Sequence, residues 1–393
     1  TDPGCGAEIL LVILNENQMS ISDNVGAFAA HLNKLRTSRK YRHFKGRMER
    51  FCLHIPVIGE ALADGLSRMK DFFRNIFLHE MNAMPEALGF RYYGPFDGHN
   101  RIMLEQAFEA AAEVDGPVLV HVCTCKGYGY IPAENSPENY HGVAPFEVET
   151  GIPELPEPDY PTDSTERFEH TLDRCKNFSE SFGTSLQFYA LRNDKVTGIC
   201  AAMAGGTGME GFAELFPKRF YDVGIAEQHA VTLACGMAAA GIRPVVALYS
   251  TFLQRALDQV QHDAVLQKLP VIICLDRAGI VGEDGETHQG LYDIPYLRAL
   301  PGGEVWTPSD FRDVYDMMGE ALKKDEGPIF IRYPKGAPLF SNPDRYAIRA
   351  LMKETGEDKK APQDARLIRR GADLTIIGWG YTAGLAYRAA EAL

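Results

Sequence analysis

The segment Arg219–Gly290 constrains the fold most, because short apolar runs alternate in it with longer helix-forming stretches. Ala230–Ala240 is rich in small helix formers, and Phe252–Gln267 has the apolar spacing of a helix. The candidate buried strands are Phe220–Val223, Pro244–Leu248 and Pro270–Leu275. Strands that alternate with helices predict an α/β fold, in which helices flank a parallel sheet. Ligands of such sheets bind at the carboxyl ends of the strands.

Polar side chains gather where these predicted strands end. They are Glu227, Tyr249, Arg277, Asp284 and His288. A sheet that served only as a scaffold would need none of them at this edge. We therefore expect a binding or catalytic site there.

Composition limits the partners that the chain can have. The net charge of −13 argues against a nucleic-acid partner, and no apolar run is long enough to cross a membrane. The eight cysteines are scattered, which favours free thiols in a reducing compartment over a disulfide framework. Cys123 and Cys125 could form a metal-binding pair, but no second pair and no suitable histidine partner is evident, so we expect no metal there.

Proline content and charge suggest the domain boundaries. The expected domains cover residues 1–150, 167–341 and 371–393, and the expected linkers cover residues 151–166 and 342–370. Leu10–Leu14 and Asp373–Gly378 have the apolar character of buried strands, yet each lies near one end of the chain. Because a buried strand needs neighbours, we expect flanking sequence at both ends.

Loops of the first domain carry candidate ligands. Asn17 follows the strand Leu10–Asn15, and its amide oxygen could bind a hard divalent cation, although Asn in a turn more often holds its own backbone. Lys126 stands among glycines after an apolar strand, where it suits a phosphate group as well as it suits a flexible surface turn. The pair Gly94 and Pro95 predicts a turn.

Glu227 stands at the start of the predicted helix that follows the first strand of the central segment. A carboxylate at this position can complement the helix dipole, or it can form a hydrogen bond with a ring nitrogen of a ligand in a dry pocket. In the second case Phe252 could stack on the ring and Ile225 could support it, although both residue types are more often plain core.

Charged residues at the later strand ends suit an anionic substrate. Arg277 and Arg332 both end strands, and two arginines can bind a phosphate or carboxylate, with help from the hydroxyl of Tyr249. The alternative for either arginine is a surface salt bridge. Asp284 and His288 lie four residues apart in a glycine-rich loop. The acid could orient the imidazole for proton transfer, or both could be incidental.

Several short motifs taken together resemble one family. They are Leu14–Ser22, Gly94–His99, Lys126–Tyr130, Tyr140–Gly142, Tyr221–His229, Asp276–Asp284, Thr287–Gly290 and Arg332–Gly336. In combination they resemble the 1-deoxy-D-xylulose-5-phosphate synthase family, whose members are transketolase-like enzymes. The motif around Glu227 by itself would indicate only a transketolase-like thiamine enzyme, and the stretches that begin at Asp276 and Thr287 narrow it to the synthase.

The resemblance implies a thiamine-diphosphate-binding fold of two parallel-sheet domains and the start of a third, with thiamine diphosphate and Mg²⁺ as cofactors. It implies condensation of pyruvate with D-glyceraldehyde 3-phosphate and release of CO₂, at the entry to non-mevalonate isoprenoid synthesis. It further implies a homodimer, located in the cytoplasm or, in a plant or alga, in the plastid stroma.

The resemblance also implies roles for individual residues. Glu227 would protonate the aminopyrimidine ring, and Ile225 and Phe252 would hold the cofactor. The metal would bind Asn17 and the backbone carbonyl of Met19, and Lys126 would approach the diphosphate. The other implied roles are catalysis for Asp284, His288 and, more weakly, His141, and binding of the triose phosphate for Tyr249, Arg277 and Arg332.

Two departures from the family pattern matter. The Gly-Asp-Gly stretch of the family's metal motif does not precede Asn17 here, and Lys335 stands where arginine is common. We therefore expect this chain by itself to bind thiamine diphosphate weakly and to show little or no activity. The alternatives are another transketolase or the E1 component of an oxo-acid dehydrogenase, and a non-catalytic thiamine-fold subunit.

Overall fold

The computed structural model describes residues 9–17, 19, 84–143, 145–152, 171–339 and 342–393. The chain forms two compact units, residues 1–154 (unit 1) and residues 155–393 (unit 2). Most of the expected first linker, residues 151–166, lies outside the described residues. None of the helices in the described part of the chain is long and apolar enough to span a membrane.

The described part of unit 1 is built on a three-stranded parallel sheet in the order β1-β3-β2. Its strands are β1 (Ile9–Glu16), β2 (Arg91–Asp97) and β3 (Gly116–Cys123), and its helices are α1 (Arg101–Ala112) and α2 (Ile131–Asn135). Alternate residues of β3 point to one face of the sheet and pack against α1. This small core contains Val118, Val120, Val122, Ala107 and Ala111.

Strand β2 corrects one expectation. Gly94 and Pro95 predict a turn, but residues 91–97 form a strand whose register against β3 shifts between Tyr93 and Phe96. Because β2 lies at an edge of the described sheet, a proline removes few ladder hydrogen bonds and an irregularity can absorb it. The strand therefore continues through this pair to its end at Asp97.

The described residues of unit 2 contain a six-stranded parallel sheet in the order β5-β4-β6-β7-β9-β8. Its strands are β4 (Val196–Cys200), β5 (Phe220–Asp222), β6 (Arg243–Tyr249), β7 (Ile272–Asp276), β8 (Glu304–Trp306) and β9 (Ile329–Arg332). Its helices are α3 (Phe178–Arg192), α4 (Glu210–Leu215), α5 (Glu227–Ala239), α6 (Asp293–Arg298), α7 (Phe311–Ala321), α8 (Asn342–Thr355) and α9 (Ala383–Ala392). Residues 250–265 form a further helical segment of mixed 3₁₀, α and π type. The predicted α/β class is confirmed.

Both faces of this sheet are covered. Val245 and Ala247 of β6 pack into a core with helices α3 and α7, whereas Val246 and Leu248 pack into a second core with helix α5. Burial on both faces explains why the strands are continuous apolar runs in the sequence rather than alternating ones. Polar residues are therefore confined to the strand ends, where the candidate site lies.

The C-terminal part of unit 2 differs from expectation in two ways. Residues 342–355, within the expected second linker, form helix α8, which buries Ile348 and Met352. These two residues are four apart and form an apolar stripe, which the many charges of the segment conceal in its composition. The predicted strand Asp373–Gly378 does not form within the described residues, and Leu374 and Ile377 are exposed. A strand needs a partner for its backbone hydrogen bonds, and none pairs with it among the described residues.

Candidate active site

Glu227 lies in the first turn of helix α5 and is 3% exposed. Its Oε2 accepts a hydrogen bond of 3.0 Å from Nη1 of Arg255, whose side chain is about half exposed. Ile225, two residues earlier in the chain, is 52% exposed. The carboxylate is thus shielded from solvent, while the apolar side chain of Ile225 is exposed. A hydrogen bond from a ligand to a shielded carboxylate is stronger than the same bond in water.

Three rings pack together beside the end of strand β6. Tyr249 and Phe252 stack with ring centroids 5.9 Å apart, and His288 meets both rings edge-on at 6.2 and 5.3 Å. Phe252 lies on the same 3₁₀ segment, Ser250–Ala256, that carries the partner of Glu227. Burial raises the pKa of Tyr249 to about 12, so its hydroxyl keeps its proton at neutral pH and can donate a hydrogen bond.

Arg277 follows strand β7 with a left-handed backbone of φ 57°, and its guanidinium lies over the Tyr249 ring at 4.2 Å from the centroid. Its Nη1 donates to Ser179 Oγ at 3.1 Å and to the backbone carbonyl of Gly206, and it lies 2.9 Å from Asp276 Oδ1. Complete burial raises the pKa of Asp276, and Arg277 and Ser179 oppose that rise. Gly206 has no room for a side chain, because a Cβ there would overlap the Tyr249 hydroxyl.

The loop 279–290 is closed at its base, where Gly279 and Gly290 exchange two backbone hydrogen bonds of 2.8 Å. The hydroxyl of Thr251 donates to the carbonyl of Thr287 at 3.0 Å, which ties the loop to the helical segment after β6. Nδ1 of His288 lies 2.9 Å from the hydroxyl of Thr287. The loop is therefore held at both ends of its polar stretch.

Asp284 pairs with cations rather than with His288. It lies 2.5 Å from Nζ of Lys335 and 3.9 Å from Nε of Arg277. The expectation that the acid orients the imidazole is therefore not met, because the carboxylate contacts these two cations instead. Asp284 instead extends the chain of charges that begins at Asp276 and Arg277.

Arg332 ends strand β9 and forms an ion pair with Asp293. Its Nε and Nη2 donate to the two carboxylate oxygens at 2.8 and 3.3 Å, and Asp293 is buried. The guanidinium also lies 5.3 Å from the ring centroid of Trp379. The sequence offered Arg332 as a phosphate ligand or as a surface salt bridge, and the contacts are those of a buried, bidentate ion pair.

In unit 1, Asn17 follows strand β1 and its Oδ1 accepts a hydrogen bond of 3.0 Å from the backbone N–H of Met19. This is the local turn that the sequence offered as the alternative to metal binding. Both residues are half-buried.

Lys126 follows strand β3 and lines a cavity of about 660 Å³ together with His99 and Tyr128, whose rings stack 3.7 Å apart. Burial lowers the pKa of Lys126, and the charge of Glu138 opposes that effect. His141 is exposed and does not line this cavity. Unit 1 thus brings Lys126 into a pocket, while His141 lies outside it.

Sequence reasoning missed the partners of the site residues. Arg255 was not considered, although it stands three residues after Phe252 and is the cation in that segment. Its pairing with Glu227 joins positions 28 residues apart, which spacing in the sequence does not indicate. The partner of Arg332, Asp293, is likewise 39 residues away.

Two family models match the chain. The model described as 1-deoxy-D-xylulose-5-phosphate synthase matches residues 4–124, and the model described as transketolase, pyrimidine binding domain, matches residues 176–338. Among solved structures, one similar chain is described as split gene transketolase, inactive beta4 tetramer. It is 30% identical, with a TM-score of 0.38 over 42% of this chain and 54% of that chain.

Curated relatives named 1-deoxy-D-xylulose-5-phosphate synthase align with 98% of the chain. The relative from Picosynechococcus sp. is 42% identical and the one from Desulforudis audaxviator 44%, and the chain covers 57% and 56% of their lengths. A relative from Geobacter sulfurreducens, named synthase 1, is also 44% identical and is covered over 56% of its length. The resemblance indicated by the motifs is confirmed: the chain is similar over nearly its whole length to proteins named 1-deoxy-D-xylulose-5-phosphate synthase, and it spans a little over half the length of these curated relatives.

Proposed function

We propose that the protein containing this chain condenses pyruvate with D-glyceraldehyde 3-phosphate to give 1-deoxy-D-xylulose 5-phosphate and CO₂, with thiamine diphosphate and Mg²⁺ as cofactors. One observation supports the proposal beyond the similarity to these relatives. The buried carboxylate of Glu227 is joined through Arg255 and the Phe252 segment to Tyr249 and Arg277. A ring-binding acid and an anion-binding arginine in one cluster suit a thiamine enzyme with a phosphorylated acceptor.

The residues around Glu227 fit an aminopyrimidine ring. Arg255 occupies Oε2, so we assign Oε1 to a ring nitrogen. Ile225 is exposed and Phe252 is half-buried, which leaves apolar surface that a flat heterocycle would cover. Thiamine diphosphate, when bound, supplies the carbanion chemistry of the reaction, and Glu227 supplies a carboxylate that exchanges a proton with the ring.

Unit 1 contains groups that suit a divalent cation and a diphosphate. An amide oxygen has two lone pairs, so Oδ1 of Asn17 can accept the hydrogen bond from Met19 and also coordinate Mg²⁺. The backbone carbonyl of Met19 is the second ligand that we assign. Lys126 lies in a partly desolvated position, where its charge attracts a diphosphate more strongly than it would in open water.

The phosphate of the acceptor would meet Tyr249 and Arg277. The Tyr249 hydroxyl keeps its proton at neutral pH and so donates to a phosphate oxygen. Asp276, Arg277, Asp284 and Lys335 form a chain in which negative and positive groups alternate. An incoming phosphate therefore competes with Asp284 for the two cations, and we assign Asp284 to tuning of that site.

The remaining candidates receive different roles. His288 contacts both Tyr249 and Phe252, and we assign it to proton transfer with the substrate. We assign Arg332 to positioning, because its Nε and Nη2 already donate to the carboxylate of Asp293. His141 is exposed, and its catalytic role stays a prediction from the resemblance.

The decisive experiment replaces Glu227 by glutamine in the full-length protein. The amide keeps the shape of the side chain but cannot exchange the proton, so we expect turnover of pyruvate and D-glyceraldehyde 3-phosphate to fall by about 10²- to 10⁴-fold. Glu304→Gln is the matched control, because Glu304 also pairs with a cation, Lys324, in unit 2. Equal turnover in Glu227→Gln and wild type would contradict the role of Glu227, and absence of turnover in wild type would support a non-catalytic thiamine-fold subunit.

Substrate dependence separates the enzyme alternatives. A synthase releases CO₂ from pyruvate and joins the remaining fragment to the triose phosphate. Transfer between sugar phosphates without CO₂ release would indicate a transketolase, and transfer to a lipoyl group would indicate an E1 component. We also propose a homodimer, which light scattering of the purified full-length protein tests directly.

A further inference from the structure

Three side chains of unit 1 with metal-binding atoms converge between strands β1 and β3. Glu16 ends β1, and His121 and Cys123 lie two residues apart near the end of β3, so they share one face of the sheet. The register pairs Glu16 with Cys123 directly, which brings the carboxylate beside the thiol. The three ligand atoms all lie within 4.8 Å of one another.

The separations between these atoms are those of ligands around one small ion. Oε2 of Glu16 is 3.1 Å from Nε2 of His121 and 3.7 Å from Sγ of Cys123, and Nε2 is 3.9 Å from Sγ. In a tetrahedral zinc site, with bonds of about 2.3 Å to sulfur and about 2.0–2.1 Å to nitrogen and oxygen, neighbouring ligand atoms lie about 3.4–3.6 Å apart. Shifts of a few tenths of an ångström would therefore suffice.

The other nitrogen of the imidazole is also arranged for metal binding. Nδ1 of His121 lies 2.6 Å from the hydroxyl of Tyr92. A histidine that binds a metal through one nitrogen almost always makes a hydrogen bond with the other, which fixes the ring and its tautomer. His121 is 2% exposed and Glu16 is half-buried, so the ligands are preorganised inside the unit rather than spread over its surface.

This cluster is distinct from the ligands assigned to Mg²⁺. On the opposite face of the same strands, Thr124 donates to Oδ1 of Asn15 at 2.8 Å, and Asn17 closes its own turn with Met19. A thiolate is a soft ligand that Mg²⁺ does not favour, whereas zinc and related transition metals do. No metal was expected at Cys123, because no second cysteine pair and no suitable histidine partner was recognised. That expectation overlooked His121, two residues earlier, and did not anticipate Glu16, which lies 107 residues away.

We infer that Glu16, His121 and Cys123 form a binding site for a divalent transition metal of the zinc class. Binding displaces the thiol proton of Cys123 to solvent and uses the unprotonated Nε2 of His121 and one oxygen of Glu16. The three protein ligands leave a fourth position for a water molecule.

Titration of the metal-free full-length protein with Co²⁺ tests the site. We expect one Co²⁺ per chain with a thiolate-to-cobalt charge-transfer band, which Zn²⁺ abolishes by displacement. Cys123→Ser should lose the band, and Cys125→Ser should keep it, because Cys125 is exposed and outside the cluster. Tyr92→Phe should weaken Co²⁺ binding by about 10- to 100-fold, since it removes only the partner of Nδ1.

Two further measurements distinguish loss of the metal ligand from loss of the fold. Circular dichroism of each variant shows whether a lost band reflects unfolding. If Cys123→Ser does not fold, Zn²⁺ should still protect Cys123 of the wild-type protein from alkylation while Cys125 reacts at an unchanged rate. Absence of the charge-transfer band in wild type, or an equal band in Cys123→Ser, would mean that the cluster is only a hydrogen-bonded Glu–His–Tyr group.

Discussion

Units 2 and 1 hold the polar groups of their strand ends in different ways. In unit 2 the groups are ion pairs with buried carboxylates, namely Glu227–Arg255, Asp276–Arg277 and Asp293–Arg332. In unit 1 loop residues are held in local turns, namely Asn17 with Met19, Asp97 with His99 and Glu134 with Gly129, and the long-range contact between Glu16 and His121 lies within the sheet itself. Two of these pairs, Glu227–Arg255 and Asp293–Arg332, join residues 28 and 39 positions apart and so exist only when unit 2 is folded, whereas a turn depends on a few residues. Unit 2 therefore holds its polar groups in a preformed arrangement, and unit 1 contains loops that can adjust to a ligand.

The largest effect on stability is expected when the cation of a buried ion pair in unit 2 is removed. Arg277→Met leaves the fully buried Asp276 without its cation, and we expect the free energy of unfolding to fall by about 3–5 kcal/mol. Arg101→Met in unit 1 breaks the exposed pair with Glu105 and should cost less than about 1 kcal/mol. Urea denaturation of both variants gives the comparison.

Adding Asp276→Asn to Arg277→Met should recover part of the loss, because the buried charge is then gone. An equal effect of the arginine substitutions in the two units would contradict a preformed, ion-paired unit 2.

The second test concerns pH. Burial, followed by the charge of Asp310, raises the pKa of Asp313 from 3.8 to about 6, against the hydrogen bonds from Ser309 and the charge of Arg366. Because the folded protein then binds this proton more tightly than the unfolded chain, the contribution of Asp313 to stability falls as the pH rises from about 4 to about 6. The loss is on the order of 3 kcal/mol.

Thermal unfolding at several pH values measures this effect as the difference between wild type and Asp313→Asn, a variant that does not titrate. A pH-independent difference between the two proteins would show that Asp313 is ionised alike in the folded and unfolded states.

A smaller effect is expected from Asn17→Ala in unit 1. The substitution removes one turn hydrogen bond, so the free energy of unfolding should change by about 0.5–1.5 kcal/mol, while Mg²⁺-dependent binding of thiamine diphosphate to the full-length protein weakens about tenfold or more. Calorimetry measures both quantities. Loss of stability as large as that of Arg277→Met would remove the distinction between the adjustable loops of unit 1 and the preformed ion pairs of unit 2.

The smallest effect concerns thiol chemistry and leaves stability untouched. Cys235 and Cys274 of unit 2 are buried, and burial raises the pKa of both thiols, that of Cys235 to about 12. Cys125 of unit 1 is exposed. Because the thiolate is the reactive form, alkylation at pH 8 should label Cys125 more than about tenfold faster than either, as mass spectrometry of peptides would show.

The sequence was sufficient for the parallel sheet of unit 2, because continuous apolar runs such as Pro244–Leu248 and Pro270–Leu275 are typical of strands buried on both faces. It was insufficient where tertiary contacts override local preference. Strand β2 passes through Gly94 and Pro95 because pairing with β3 outweighs their turn preference. Helix α8 was hidden by its charges.

The site residues could also be predicted from the sequence only where tertiary contacts were not needed. The chemistry of Glu227, Tyr249 and Arg277 can be predicted from their positions after strands, because strand ends meet at one edge of a parallel sheet. Their partners cannot, because each pairing depends on the three-dimensional path of the chain. Arg332 is the clearest example, since its residue type suggested phosphate binding and its partner Asp293 is apparent only in the fold.

Under the proposed function, the backbone of Gly206 would affect which substrate is preferred, although this residue has no side chain. Its carbonyl accepts a hydrogen bond from Arg277, and the space where a methyl group would lie is filled by the Tyr249 hydroxyl. Gly206→Ala should therefore tilt the phenol away from the guanidinium and raise the KM for the triose phosphate more than that for pyruvate. Equal changes in the two KM values would contradict this role of Gly206. Directed evolution of enzymes that accept unphosphorylated aldehydes could begin at this residue, one layer behind the groups that touch the acceptor.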